Sequence, residues 1–343
     1  SHMFCFGGFN PTLTVNDPDM ADDPYWEESI PLFKQLWVFN FSTKSWTKLP
    51  LEGAVPEGLA SQTAALHGNN LIVYGGTAVP FGEKLSNRLH VCNLKTWKWQ
   101  IVETTGKLPE ELYGQAGVIY NNYFYTVGGT SGYRYSIDVH RLNIATCEWE
   151  HLESCDIPQE RYRHEIGILN DKIYVFGGGT AEECYDFETI PVFDIKSRSW
   201  TAVQSHPDSR PGHGYPAARK AHSLVQDGNF VYICGGLWQK TVLSDVWTCD
   251  LTTLQWRKSA FKLPKPLYFH SACITPEGKM VVYGGAESLN LNSRCSDISY
   301  VWLRVPTLKE MVWEALLSFI PDIKIITKAN LAEIGVPFDL IDR

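Results

Sequence analysis

The side chains best suited to chemistry in this chain recur at one offset. Five times a His or Gln follows a variable pair: Ala60-Ser61 before Gln62, Tyr113-Gly114 before Gln115, Tyr162-Arg163 before His164, Lys220-Ala221 before His222 and Tyr268-Phe269 before His270. Three of the five pairs place a tyrosine first and a fourth places Lys220 there, with Arg163 and Phe269 as the large residues at the second position. These groups suit recognition. Arg and Lys give charge-assisted hydrogen bonds to a carboxylate, and aromatic faces wall in an extended chain. They do not suit bond making, because the tyrosines have no matched base and nucleophile, and neither a Tyr/Cys/His set for a copper radical nor an acid-and-His spacing for iron is present. A plainer reading also stands on the residues alone: tyrosines packed with their hydroxyls satisfied, and cations that are merely solvated.

The elements that must position these side chains are strands. Six short apolar runs end in a glycine pair: FCFGG at Gly7, LIVYGG at Gly75, YFYTVGG at Gly128, KIYVFGG at Gly177, FVYICGG at Gly235 and MVVYGG at Gly284. Successive pairs lie about 50 to 70 residues apart, too long a period for WD-type blades. Five units carry a second mark, an Asn or Asp six residues before a Trp: Asn40/Trp46, Asn93/Trp99, Asn143/Trp149, Asp194/Trp200 and Asp250/Trp256. An Asx side chain that bonds its own backbone suits a hairpin turn, and the Trp supplies a large apolar body between neighbouring units. One more strand precedes each glycine pair, most clearly in RYRHEIGIL and RKAHSLV, giving four strands per unit. Glycine pairs let one backbone approach another where a Cβ would clash.

Composition sets the outer bounds. The 343 residues are 44% hydrophobic and 20% charged with 27 Gly and 19 Pro, which excludes a disordered or collagen-like chain. A net charge of −8 works against phosphate neutralisation, so no nucleic-acid partner is expected. No long uncharged apolar run and no basic-then-apolar N-terminus is found, so neither a membrane span nor a signal peptide is expected, and Ser1-His2-Met3 has the look of a cloning remnant. The nine cysteines show no CxxC spacing; the expectation is reduced thiols, as in cytoplasm or nucleus, with no metal site and no cofactor.

With six glycine pairs and five Asx–Trp marks, the sequence resembles the kelch family over residues 4–305. The resemblance implies an all-β fold, a six-bladed kelch β-propeller over residues 1–305, followed by a C-terminal α-helical tail over 306–343. It also implies that the pairs described above, and the residues after each glycine pair, face one end of the central channel. The candidate substrate-binding residues are therefore Arg163, Lys220, Tyr113, Tyr162, Tyr268, Phe269 and Ser61, joined by Arg134 and Trp238 from among Phe9, Thr77, Thr130, Tyr133, Arg134 and Trp238. The first unit has no inner strand before FCFGG and the sixth no Trp strand after SYVWLRV, so an irregular junction between blades 1 and 6 is expected. Residues 9–30 hold six acids and no Lys or Arg; they read as either a solvated loop or an acidic flap at the channel mouth.

In the tail, Leu308, Met311, Val312, Ala315, Leu316 and Phe319 form one helical apolar stripe ending before Pro321, while Trp313 and Leu317 lie off it. A second helix is expected from Thr327 to Gly335. The string Thr307-Leu308-x3-Val312-x3-Leu316 resembles an elongin-B/C-binding BC box, with Val312 where Cys is usual; Ile320-Pro321 with Ile323 and Ile325 resembles a cullin-2 box, with Lys324 at an apolar position. Together with YGGTAVPFGE, HGNNL, ERYRHEI and WEALLSFIP, the chain is similar to the kelch-repeat substrate receptors of elongin-B/C cullin-RING ubiquitin ligases. That resemblance implies a non-enzymatic receptor with elongin B/C and a cullin, cullin-2, as partners. It would bind them through Leu308, Met311, Val312, Ala315, Leu316 and Pro321, and it would recognise C-terminal peptides, small or alanine-rich C-degrons, in the channel. The alternative is a non-ligase kelch scaffold that binds an internal motif of a signalling protein such as a phosphatase, with the helices only capping blade 6.

Overall fold

The computed structural model describes residues 2–10, 31–290, 293–320 and 326–341. Most of the acidic 9–30 segment, together with Pro321, Ile323, Lys324 and Ile325, lies outside the described residues. The chain forms a six-bladed β-propeller with a helical tail. From the channel outward, blade 2 runs Thr63–His67, Asn70–Tyr74, Leu89–Asn93, Lys98–Val102, and blade 3 runs Ala116–Tyr120, Tyr123–Thr130, Tyr135–Asn143, Glu148–His151. Blade 4 runs Glu165–Leu169, Lys172–Phe176, Thr189–Asp194, Ser199–Gln204, and blade 5 runs Ser223–Asp227, Phe230–Cys234, Asp245–Asp250, Gln255–Lys262. Among the described residues, blade 1 (His2–Phe6, Leu36–Asn40, Ser45–Lys48) and blade 6 (Ser271–Ile274, Lys279–Tyr283, Ile298–Trp302) have three strands each. His2 and Met3, which read as a remnant, are part of the first strand, with His2 opposite Asn40 and Met3 opposite Phe39.

Local chemistry shapes each blade. The five Asx residues close their turns on the backbone, as Asn93 does on the N–H groups of Lys95 (2.9 Å) and Thr96 (3.2 Å) and Asp194 on those of Lys196 (2.9 Å) and Ser197 (3.0 Å). The Trp of one blade then packs on an aromatic ring of the blade before it: Trp99 on Phe6 (4.7 Å), Trp149 on Tyr74 (5.0 Å), Trp256 on Phe176 (5.9 Å). Trp46 of blade 1 meets Tyr283 of blade 6 at 4.9 Å, so the outer apolar layer closes the circle across the junction of the two three-stranded blades. Chain leaving a blade adds to the outer edge of the next, Glu52–Gly53 on Lys98–Val102 and Thr105–Gly106 on Glu148–His151, and so covers those sheet edges.

The inner layer is held by the glycine pairs. Except at Gly284 and Gly8, the first glycine of a pair faces the His or Gln of the next blade, and the second faces that of its own. A Cβ on Gly177 would stand 2.6 Å from the Arg219 carbonyl oxygen and 2.9 Å from His222 Cε1, and one on Gly178 would stand 2.5 Å from His164 Cβ. Beside these contacts Arg219, fully buried, donates from Nη1 to the Gly235 carbonyl (2.9 Å) and pairs with Asp245 at 2.8 and 3.1 Å. Arg161 likewise reaches the Gly177 carbonyl at 3.1 Å. These side-chain bonds brace each arginine's own blade, while their backbone carbonyls accept from the blade before, Arg161 from the Gly129 N–H (3.0 Å) and Arg219 from the Gly178 N–H (2.9 Å). Burial lowers the imidazole pKa of His164 to about 3 and of His270 to about 4, and that of His222 falls well below its usual value.

The tail is a small helical unit with its own core. Helix α1 (Leu308–Phe319) is capped by the Thr307 side chain, which accepts from the Glu310 N–H, and α2 (Lys328–Glu333) by Thr327, which accepts from Asn330. A short α3 (Phe338–Ile341) follows, so the tail has one helical turn more than the helix pair read from the sequence. Trp313 and Leu317 pack on Leu331, Val336 and Leu340. No helix among the described residues is long and apolar enough to cross a membrane.

Two outcomes follow from the inner layer. Alanine at Gly177 (φ +59) adds a clash with a carbonyl and a ring to the cost of a left-handed residue, whereas at Gly284 (φ +76) a Cβ meets nothing within 4 Å among the described residues. Urea denaturation should show a loss of about 1 to 2 kcal/mol for Gly284→Ala and about 3 kcal/mol or more for Gly177→Ala. The buried histidines stay neutral in the fold but bind protons when unfolded. Their stabilisation is complete above the unfolded pKa of about 6.5 and is lost as pH falls below it, by up to about 1.4 kcal/mol per pH unit for each histidine. His222→Gln, which installs the residue found at the matching positions 62 and 115, should reduce the slope of unfolding free energy between pH 6.5 and 5 by about one proton.

Candidate functional site

The residue before each inner-layer His or Gln adopts a left-handed conformation: φ is 57° at Ser61, 66° at Gly114, 55° at Arg163, 53° at Ala221 and 58° at Phe269. Four of these five are not glycine, so the geometry is imposed by the fold. What imposes it is a belt of backbone hydrogen bonds around the channel. The Gly114 N–H donates to the Ser61 carbonyl (2.9 Å), Arg163 to Gly114 (2.7 Å), Ala221 to Arg163 (3.0 Å) and Phe269 to Ala221 (3.0 Å). The residue before each is fixed by a bridge to the residue after the glycine pair: Ala60 to Thr77, Tyr113 to Thr130, Tyr162 to Gly179, Lys220 to Leu237, Tyr268 to Ala286. Ten positions at the mouth therefore have a set backbone and carry different side chains.

Those side chains form one connected cluster. The Arg163 guanidinium lies 4.1 Å from the centre of the Phe269 ring, two blades away, and 5.3 Å from that of Tyr162. It can span that far because Ala221, the residue between on the belt, is small. Tyr162 meets Tyr113 edge to face at 6.3 Å and Tyr135 at 5.3 Å, while Tyr268 packs on Phe269 at 4.5 Å. Lys220 Nζ stands 5.9 Å from the Tyr162 ring and donates to the carbonyls of Thr180 (2.5 Å) and Ala181 (3.0 Å). Tyr135 joins the same loop, its hydroxyl accepting from the Ala181 N–H at 2.7 Å.

Two cations, Arg163 and Lys220, set the electrostatics of the cluster. Among the described residues, no carboxylate forms an ion pair with Arg163 or Lys220, whereas the buried Arg219 has Asp245. Burial lowers the Arg163 pKa and raises that of Tyr113, consistent with a partly desolvated cluster. The acid nearest in sequence, Glu165, forms no ion pair with Arg163 among the described residues, and burial pushes its pKa up to about 8. A desolvated cation with aromatic faces and no carboxylate partner among the described residues has the chemistry to pair with an anionic group.

Most of the residues singled out from sequence meet here: Arg163, Lys220, Tyr113, Tyr162, Tyr268 and Phe269. Ser61 contributes its backbone to the belt. Arg134 stands apart, its guanidinium paired with Glu110 on the surface. Trp238, partly exposed, belongs to a two-stranded ribbon with Thr241–Val242. Thr77 and Thr130 are buried and bond their own loops through Ala78 and Arg134, and Tyr133 is 88% exposed. Tyr135 was missed; it starts an ordinary strand and no spacing marks it.

On the tail, the stripe Leu308, Met311, Val312, Ala315 and Phe319 faces solvent, with Leu308 73% and Phe319 82% exposed; Leu316 is half-buried on the tail's core. Helix α1 is tied to blade 6 by Glu314, whose Oε1 lies 2.7 Å from Lys279 Nζ and whose Oε2 accepts from the Tyr300 hydroxyl at 3.3 Å.

Comparison with known proteins agrees with this architecture. The chain matches the family described as the KLHDC2/KLHL20/DRC7 Kelch-repeats domain over residues 1–178 and 153–317. It is 41% identical to Kelch domain-containing protein 10 of Homo sapiens over all of this chain and 77% of that protein, and 40% identical to the Rattus norvegicus protein over all of this chain and 83% of that one. The Kelch domain-containing protein 10 homolog of Drosophila melanogaster is 34% identical over all of this chain and 60% of its own length. By repeat, blade and sequence alike, the chain belongs to the kelch-repeat propeller family and is a homologue of Kelch domain-containing protein 10.

Proposed function

We propose that this chain is a substrate receptor that captures the C-terminus of another protein at the channel mouth and presents it, through helix α1, to an elongin-B/C cullin-RING ubiquitin ligase. The observation that carries the reading is Arg163: a partly desolvated guanidinium between Tyr162 and Phe269, without a carboxylate partner among the described residues. A free C-terminal carboxylate supplies the missing charge through a bidentate pair, and the surrounding rings wall in a short extended tail. Small side chains on that tail fit beside Ala60, Gly114 and Ala221, which leave room along the belt. An internal segment lacks the charge, so selection for chain ends follows from the cation. Kelch propellers are typically non-catalytic binding proteins, and in this reading transfer chemistry belongs to the rest of the ligase.

The coupling step rests on the tail. The BC-box-like residues Leu308, Met311 and Val312 are exposed, while the core of the tail is made by other side chains. An exposed apolar stripe on a helix with an independent core has the form of a partner-binding face. Cullin-2 is the cullin suggested by the residues after Ile320, and small or alanine-rich tails are the substrates suggested by the family resemblance.

Two measurements test the two halves. Arg163→Ala should weaken a fluorescent alanine-rich peptide with a free C-terminus by about 10- to 150-fold, corresponding to about 1.5 to 3 kcal/mol for a charged hydrogen-bonded contact, and should abolish the preference for acid over amide. Lys220→Ala should cost less, because two backbone carbonyls already hold its Nζ. Equal acid and amide affinities in the unaltered protein would refute the carboxylate site. For the tail, Leu308→Asp should abolish recovery of elongin B/C in a pull-down while leaving peptide affinity unchanged; undiminished recovery would leave the chain as a kelch scaffold whose helices only cap blade 6.

A further inference from the structure

The two cations of the mouth are held in different ways. The Arg163 guanidinium rests against rings, whereas the Lys220 ammonium donates to two backbone carbonyls, those of Thr180 (2.5 Å) and Ala181 (3.0 Å). Lys220 belongs to blade 5, and the two carbonyls lie on the loop that follows blade 4's glycine pair. From the other side Tyr135 of blade 3 reaches the same loop, its hydroxyl accepting from the Ala181 N–H at 2.7 Å. The Thr180 carbonyl and the Ala181 N–H are the two polar ends of one peptide group. In a trans peptide these bonds point in opposite directions, so Lys220 and Tyr135 hold that group from opposite sides.

The held group is joined to the cluster along two routes. Its turn is closed by Thr180, whose Oγ1 accepts from the N–H groups of Glu182 (3.3 Å) and Glu183 (3.1 Å) and whose own N–H donates to the Glu183 carbonyl (3.1 Å). The residue before it, Gly179, exchanges two backbone hydrogen bonds with Tyr162, at 3.0 and 3.2 Å. The second route runs through side chains. The Tyr135 ring lies 5.3 Å from the Tyr162 ring and Lys220 Nζ lies 5.9 Å from it, while Arg163 stands 5.3 Å from the same ring. The two groups that fix the peptide therefore also flank the ring beside the buried guanidinium.

We infer that Lys220 and Tyr135 are positioning residues, which lock the Thr180–Ala181 peptide group between blades 3 and 5 and so keep the Tyr162 ring fixed beside Arg163. The inference rests on the proposed reading of this cluster as the site for a free C-terminus, and it gives the two cations different work. Arg163 pairs with the carboxylate and sets the preference for acid over amide. Lys220 spends its donors on the loop, so it supports affinity for any occupant without setting that preference. Holding the wall in place before the ligand arrives removes an ordering cost from binding.

Lys220→Met keeps the length of the side chain and removes its donors, and Tyr135→Phe keeps the ring and removes the acceptor. Ala181 is exposed and Thr180 half-buried, so water can reach the groups left behind and both variants should fold. Without ligand, hydrogen exchange at the Ala181 amide should be at least tenfold faster in each variant, and the fluorine NMR signal of 3-fluorotyrosine placed at position 162 should shift or broaden in each. With the alanine-rich free-acid peptide, each variant should bind about three- to tenfold more weakly, and the ratio of acid to amide affinity should stay within twofold of that of the unaltered protein. The double variant should be no more than twofold weaker than the weaker single one, because both act on one peptide group. If Lys220→Met leaves the Ala181 exchange and the Tyr162 signal unchanged, the inference fails whatever the protein binds. Loss of the acid preference in Lys220→Met would make Lys220 a carboxylate ligand, and multiplying losses in the double variant would make the two residues independent; either result overturns it. A lack of acid preference in the unaltered protein refutes the proposed function instead, and the two ligand-free measurements still decide whether Lys220 and Tyr135 hold Tyr162.

Discussion

The whole inner architecture depends on a contact that only glycine permits. Six blades around one axis crowd their inner strands, and the crowding is relieved where a glycine pair meets a His or Gln ring or amide with no Cβ between them. At Gly178 the space a Cβ would need is already occupied by His164 at 2.5 Å, and at Gly236 by His222 at 2.7 Å. The penalty for losing this contact is steric and local, so it applies separately at each blade that makes the contact, and the motif must recur. The histidines are correspondingly neutral and desolvated, and they belong to the frame of the molecule and not to its ligand-binding surface.

That frame explains why the mouth can vary. Blades 2 to 6 each hold two residues before the His or Gln in a set backbone, one by a bridge and one by the belt, so the backbone there does not depend on which side chains the two residues carry. Evolution of a ligand preference then needs no change of fold: Ala60, Tyr113, Tyr162, Lys220 and Tyr268 occupy one rank, and Ser61, Gly114, Arg163, Ala221 and Phe269 the other. Holding non-glycine residues left-handed costs about 1 to 2 kcal/mol each. The belt and bridges carry that strain, and the return is a site whose side chains converge from four blades on rigid supports.

The period and the glycine pairs made the blades legible in the sequence, because close backbone approach has few chemical solutions. The Asx–Trp mark was legible for the same reason: Asn93 and Asp194 close their own turns, and Trp99 and Trp149 fill fixed gaps. The membership of the cluster was legible only as far as the repeat carried it. Offset from the His placed Arg163 with Tyr162, but the reach of Arg163 across Ala221 to Phe269 depends on curvature that no spacing encodes. Lys220's capture by the carbonyls of Thr180 and Ala181 and Arg134's pairing with Glu110 depend on loop conformations set by neighbouring blades. In the tail, periodicity found the stripe but could not tell the inward face from the outward one; the burial of Trp313 and Leu317 decides it, since the larger ring builds the larger core.

The attachment of the tail bears on how a receptor of this form could work. Lys279 is buried, and its ammonium lies 4.6 Å from the Tyr300 ring and 4.4 Å from the Trp302 ring while pairing with Glu314 of α1. A buried cation left without that carboxylate is costly, by several kcal/mol, so α1 is anchored to blade 6 and not tethered by a free linker. A flexible tether spreads a captured chain through a large volume and lowers its effective concentration at any one point, whereas an anchored helix fixes the angle between the channel mouth and whatever binds the α1 stripe. In the proposed function, the channel mouth and the α1 stripe would then act as one rigid gauge, in which the reach from captured terminus to acceptor side chain is set by the substrate's own length and flexibility.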